Sequence, residues 1–195
     1  MTLNQQPELK EAILRQSQKE KDKLLIRLIN KDKRLMEQLH YLLLEDENDL
    51  YARIRLVKEK LEKVFTRALQ GIEKQRPSNR YKEFTAYLKT ASGIVNEHAA
   101  VTKNKESELD LRLIIMEWSF RMFPHFYEKT IRSAYNEAHF VYQASRIKTI
   151  VNLYSKLHED LQYEYTERLS DIRYIADKTI LKSYTRAAGI EFPQD

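Results

Sequence analysis

The sequence predicts an all-α protein: an antiparallel multi-helix bundle or a short array of helix pairs, with long C-terminal helices. Three observations carry this. His125–Ala188 holds no Gly and no Pro, and apolar or small residues recur through it at steps of three and four from Tyr127 to Tyr184. The mean step is about 3.6, the period of a helix with one buried stripe. The whole chain of 195 residues has only 3 Gly and 4 Pro, too few for the tight turns a sheet requires. The composition is 42% hydrophobic and 32% charged, enough apolar residues for a core, with a surface rich in charge.

Taken in order, Pro7 suits a first helical turn, where its missing N–H costs nothing, and residues 7–16 are expected as a short helix. Ser17-Gln18-Lys19-Glu20 reads as a capping box opening a helix over about 18–30, with Leu24, Leu25, Leu28 and Ile29 buried. Asn30-Lys31-Asp32 makes a corner, since Asn tolerates the left-handed conformation and Asp caps the next helix. That helix, about 33–45, is expected to bury Leu35, Met36, Leu39, Leu42 and Leu43. After the polar break Glu45–Asp49, a helix over about 50–75 carries a regular seam at Leu50, Ile54, Val57, Leu61, Val64, Ala68 and Ile72. Leu56, Phe65 and Leu69 widen that seam beyond a coiled-coil stripe.

Arg76-Pro77-Ser78-Asn79 is the clearest loop. A helix over about 80–91 should end at Gly93, followed by a short one at 94–102. Lys103–Ser107 reads as a loop with Ser107 capping Glu108–Met122, a helix apolar on most faces and therefore central. Its Trp118 is expected to be largely buried, so that Trp118→Ala costs about 3–5 kcal/mol. Pro124 breaks the chain. As one helix, His125–Ala188 would be about 96 Å long, against about 40 Å for a compact domain of this length. It must therefore break, first at His158-Glu159-Asp160 with Asp160 as cap, and second at Ser133–Asn136. Gly189 ends the last helix. The chain reads as one all-helical domain, 1–195, with sub-units 1–76 and 80–188 offered by the Arg76–Asn79 loop.

Lys21–Leu28 (K-D-K-L-L-I-R-L), the turn near Asp32, Tyr81-Lys82-Glu83-Phe84 and Leu111–Trp118 together resemble the apolar spacing of small bacterial all-helical domains, some of them similar to HEAT-type arrays. The resemblance implies a HEAT-like α–α array as the second form of the all-α fold. It implies no activity. No internal repeat of 30–47 residues accompanies it.

Functional chemistry is harder to find. There is no cysteine, hence no disulfide, thiolate metal site or thiol nucleophile. Met1–Lys10 lacks an apolar signal-peptide core and no run approaches 18 apolar residues, so a cytoplasmic protein without membrane insertion is expected. Glu37-Gln38-Leu39-His40 is an E-x-x-H, but a di-iron bundle needs a second such motif and two further glutamates; a surface pair is the ordinary reading. His125, His139 and His158 do not share a spacing that fixes one site, and each reads as a core-edge or surface residue. Three glycines leave no phosphate-cradling loop. No catalytic, cofactor or metal residues are assigned, no small-molecule substrate is inferred, and the protein is expected not to be an enzyme.

The excess of charge lies between Arg53 and Lys89, with 11 basic against 4 acidic residues. Arg53, Lys60, Arg67 and Lys74 fall at sevens, with Lys63 beside them. Such a row can track phosphates, or can lay its stems along the edge of a packed seam. Tyr163, Tyr174 and Tyr184, and Tyr135 with Tyr142, recur at helical spacing. Among basic residues they would offer stacking platforms, but this half is not net basic and packing is the reading taken. The expectation is a non-enzymatic helical interaction or scaffold protein. It would bind another protein or self-associate through its long Tyr-rich helices. The alternative is a nucleic-acid-associated protein using residues 53–89, with Arg53, Lys60, Lys63, Arg67 and Lys74 as the anion-binding set.

Overall fold

The structure, a computed structural model, describes residues 2–128 and 134–193, with the backbone alone at 134 and 135. Among the described residues there are α-helices and two short 3-10 turns, and no strand. By contacts the chain divides into two compact units, Met1–Asp46 and Glu47–Asp195. The Arg76–Asn79 stretch, expected as a loop, lies inside the second, and only Arg76 of it is outside a helix: the turn is at residues 73–76 and Pro77 opens the next helix, its missing N–H costing nothing there.

The first unit holds α1 (Pro7–Leu14), α2 (Gln18–Ile29) and α3 (Lys33–Leu44). Their ends agree with the sequence. The capping box forms, with the Glu20 amide donating to Ser17 Oγ at 3.4 Å and the Ser17 amide donating to Glu20 Oε2 at 3.2 Å. Asp32 Oδ1 accepts from the Leu35 amide at 3.0 Å and so caps α3. The expected burial is not found. None of α1, α2 or α3 contains a buried residue. Leu24, Ile29, Leu35 and Leu39 are half-covered, while Leu25, Leu28, Met36, Leu42 and Leu43 are exposed. Periodicity is a sound sign of helix, but it cannot say whether anything covers the stripe.

The second unit is a helical bundle: α4 (Glu47–Ile72), α5 (Pro77–Thr102), α6 (Lys105–Met122), a 3-10 turn (Pro124–Phe126), α7 (Ala134–Tyr154), α8 (Glu159–Lys178) and α9 (Leu181–Ala187). The central helix is α6, which packs against α4, α5, α7 and α8. Its Leu109, Leu111, Leu113 and Met116 are almost wholly enclosed. The α4 seam is buried at Val57, Leu61, Val64, Ala68 and Ile72 with Phe65, whereas Leu56 and Leu69 face outward. Where α4 meets α5, a Cβ at Gly71 would lie 2.6 Å from the Tyr87 hydroxyl, so a larger residue there would displace the end of that side chain.

Several local expectations are corrected. Gly93 does not end a helix: α5 runs unbroken for 26 residues, and the space beside Gly93 is open. One glycine costs a helix only about 1 kcal/mol, which the packing of α5 on α4, α6 and α7 outweighs. The α5–α6 turn is only Lys103-Asn104. Lys103 takes the left-handed conformation (φ 51°), and Asn104 Oδ1, not Ser107, caps α6 by accepting from the Ser107 amide at 2.8 Å. Trp118 packs against the core with most of its side chain covered but is not fully buried, its ring edge-on to Phe65 at 5.4 Å.

The break expected at His158–Asp160 occurs slightly earlier, at residues 155–158, and the cap is not Asp160 but His158, whose Nδ1 accepts from the Asp160 amide at 3.4 Å. A further break at Thr179-Ile180 separates α8 from α9 and carries no sequence signal. Of the break expected at Ser133–Asn136, Ser133 lies outside the described residues and α7 begins at Ala134. Gly189 (φ 60°) closes α9, as its position predicts. Its amide donates to the Arg186 carbonyl, and the Ile190 amide reaches back to the Thr185 carbonyl at 3.1 Å, the paired hydrogen bonds of a Schellman end.

Candidate interaction surfaces

The basic row is the set singled out by the sequence, and the structure places its members unequally. Lys60, Lys63, Arg67 and Lys74 are exposed, the last just beyond the end of α4. None of the four has a carboxylate within 4.0 Å among the described residues. Successive sevens drift by about 20° per heptad on a straight helix, so they wind along one flank of the buried seam, with the exposed Leu56 one turn before Lys60. Arg53 does not belong to this group. It is half-buried, and its charge helps hold His98 neutral.

Other cations of the same region have structural partners. Lys58 pairs with Asp110 at 3.1 Å. Arg80 donates to the carbonyls of Glu73 (3.1 Å) and Gln75 (3.3 Å), satisfying acceptors just past the C-terminal end of α4. Lys89 lies over the Tyr142 ring at 5.8 Å. Of the candidate row, Lys60, Lys63, Arg67 and Lys74 are thus the members left on the surface without a carboxylate partner among the described residues.

The histidines and tyrosines are placed by burial. His40 pairs with Glu45 at 2.7 Å, not with Glu37, and no group of three metal-binding side chains forms among the described residues. His125 and His158 are exposed. His139, expected at a core edge or the surface, is instead 1% exposed and stacked on Phe84 at 5.1 Å. Thr85 Oγ1 donates to the Tyr81 carbonyl at 2.7 Å, so it can only accept from His139 Nδ1 at 2.9 Å. Nδ1 therefore carries a proton, and burial, which disfavours the charged ring, pushes the imidazole pKa down to about 3.

A parallel chain runs beside it: Gln143 Nε2 donates to the Tyr127 hydroxyl, Tyr127 to Ser119 Oγ at 3.0 Å, and Ser119 to the Met116 carbonyl at 2.8 Å. His98 is also buried, its Nε2 paired with Ser107 Oγ at 2.9 Å, and burial with the Arg53 charge lowers its pKa. These groups join α5, α6 and α7, although Thr85 and His139 also line a surface cleft between α5 and α7. Tyr184 is buried, with its hydroxyl donating to Glu137 at 2.6 Å, while Tyr163 and Tyr174 stand out in solvent. The three do not form one aromatic platform. Tyr142 is half-buried against Ser92, and the Tyr135 side chain lies outside the described residues.

Sequence reasoning missed two features. One is an ion network: Arg168 on α8 grips Glu117 through two bonds (2.6 and 3.1 Å) and Asp110 at 2.6 Å, and Lys58 of α4 completes it. Burial alone would lower the Arg168 pKa, but these carboxylates outweigh it and raise it. Residues 51 and 58 apart in sequence leave no periodic trace, so no signal could have found the network. The other is the uncovered face of the first unit. Leu25, Ile26 and Leu28 on α2 are 52–59% exposed, and Met36, Leu42, Leu43 and Leu44 on α3 are 45–74% exposed. Single exposed leucines are ordinary, but contiguous apolar surface marks a contact site.

No protein-family model, no curated protein and no solved structure matches the chain.

Proposed function

We propose that this is a non-enzymatic helical interaction protein that binds another protein or self-associates, and that α2 and α3 carry the contact surface. The observation behind this is the lack of any buried residue among the described part of Met1–Asp46, together with seven large apolar side chains on α2 and α3 that are at least 45% exposed. The Tyr-rich helices, expected from the sequence to supply the surface, spend most of their stripe inside the second unit. Ile147, Ile150, Tyr154, Leu169 and Ile172 are all buried there. The buried histidines hold α5, α6 and α7 together rather than meeting a substrate. Among the described residues no helix is long and apolar enough to cross a membrane.

The test uses Trp118, the only tryptophan, as a reporter of the second unit. Leu25→Glu, Leu28→Glu, Leu42→Glu and Leu43→Glu, combined in the full chain, should leave the Trp118-monitored urea transition within about 0.5 kcal/mol of wild type, as for surface substitutions. A loss of more than about 4 kcal/mol would mean that these leucines are covered within their own chain, since buried carboxylates are expensive.

A second reading has one observation in its favour: Lys60, Lys63, Arg67 and Lys74 are exposed, with no carboxylate partner among the described residues. If they meet a nucleic acid, changing all four to Gln lowers the slope of log affinity against log salt by about 3–4. The result expected is weaker: wild-type affinity at 0.15 M salt no better than the ~10⁻⁴–10⁻⁶ M of non-specific binding. Submicromolar binding that the variant loses would make nucleic acid the partner.

A further inference from the structure

We infer that the partner of the first unit is a second copy of this chain, the α2–α3 faces of two copies packing together into a four-helix homodimer. This rests on the interaction reading above and adds the identity of the occupant.

The physical case begins with size. Folds shorter than about 70 residues rarely get enough stability from their own core and are commonly completed by disulfides, a metal or oligomerisation. The first unit is 46 residues long, has no cysteine, and none of its described residues is buried. Something other than its own core must hold α2 and α3. Their apolar residues also cover too much of each helix for one neighbour. In α2, Leu24, Leu25, Ile26, Leu28 and Ile29 span roughly 200° at about 100° per residue. A stripe for one contact needs only about half that. A sister helix covers one side at most, and a second hairpin covers the other, as in a four-helix bundle.

The area is of the right order for a dimer. The seven exposed side chains together leave the equivalent of about four whole side chains uncovered. At on the order of 100 Å² of burial each, they offer about 400 Å² per copy. In an interface about 60% apolar that corresponds to roughly 700 Å² per partner, close to the ~800 Å² of a standard stable complex.

Charge selects among occupants. Residues 1–46 carry 9 Lys/Arg and 8 Asp/Glu, while residues 47–195 carry 25 and 21. The first unit is nearly neutral with both signs interspersed. It therefore does not repel its own copy, and it has no basic excess with which to favour an anionic lipid surface or a nucleic acid.

The test is sedimentation velocity of the full chain from about 1 to 100 µM, with the four-Glu variant alongside. Companion measurements are binding of an apolar dye and co-sedimentation with phosphatidylcholine–phosphatidylglycerol vesicles. The expected result is a concentration-dependent dimer whose dissociation constant rises more than a hundredfold in the variant, with the Trp118 transition unchanged. A wild-type monomer at 100 µM that binds dye through α2 and α3, the variant binding none, overturns the second copy while the wider interaction reading stands. A monomer that instead sediments with the vesicles overturns it in favour of a lipid surface. A monomer that binds neither overturns both, because the face is then covered within one chain.

Discussion

Replacing Phe84 by alanine is expected to cost about 3–5 kcal/mol of unfolding free energy in the second unit, the range for a large aromatic removed from a packed core. Phe84 has no exposed surface. Its ring lies 4.5 Å from Phe123, 4.9 Å from Phe126 and 5.1 Å from His139. It therefore links α5 to the 3-10 turn and to α7. The cavity left behind is walled by large packed rings, and such surroundings relax only partially into the gap. Urea unfolding read by Trp118 fluorescence measures it, with Val141→Ala as control. Val141 is 54% exposed on α7, and its change should stay within about 0.5 kcal/mol. A Phe84→Ala cost below about 1 kcal/mol would mean that this aromatic centre is not the core.

The second large effect is a dependence of stability on pH that runs through His139. Its folded-state pKa is depressed to about 3 because burial disfavours the imidazolium, whereas an unfolded histidine titrates near 6.5. Above about pH 6.5 both states are neutral and the residue adds no pH dependence. As pH falls below that, the unfolded chain takes up a proton that the folded chain refuses, and stability is lost at about 1.4 kcal/mol per pH unit down to about pH 3. Between pH 7 and pH 4.5 the loss from this one group is about 2–3 kcal/mol. Carboxylates also contribute in acid, so the quantity to measure is the difference between wild type and His139→Gln. The variant is less stable at pH 7, but its curve from pH 7 to 4.5 should be shallower by that amount. Parallel curves would show that His139 titrates normally and is open to solvent.

How far the sequence leads can be seen from particular residues. The class and most helix ends were legible because they depend on neighbours in the chain. Ser17 with Glu20, Asp32, Pro124 and Gly189 all act where their spacing says they should. Gly93 misled because a propensity of about 1 kcal/mol yields to the packing of a whole helix. Thr179-Ile180 was silent because the break there has no Gly, Pro or Asn to mark it.

Burial was read well in the second unit and badly in the first, from the same kind of pattern. Leu61 and Leu42 both sit on apolar stripes, yet one is fully enclosed and the other 73% exposed. A stripe records that a helix was selected to touch something. It does not record whether that partner is in the same chain. The basic row lost Arg53, which is half-buried, for a related reason, since spacing by sevens fixes a side of the helix but not what packs on it. The Arg168 network and the His139–Thr85 pair, joined across 51 to 58 residues, are beyond any local reading.

Hydrogen exchange of the full chain at about 1 µM most directly tests the division into a half with its own core and a half that needs a partner. Amides of α5 and α6 should exchange only through global unfolding of the second unit. Those of α2 and α3 should exchange orders of magnitude faster, near the rate of isolated helices of 12 residues, which are marginal in water. Equal and strong protection of α2, α3, α5 and α6 at that concentration would contradict it, showing that Met1–Asp46 is held by its own chain and offers no surface to a partner.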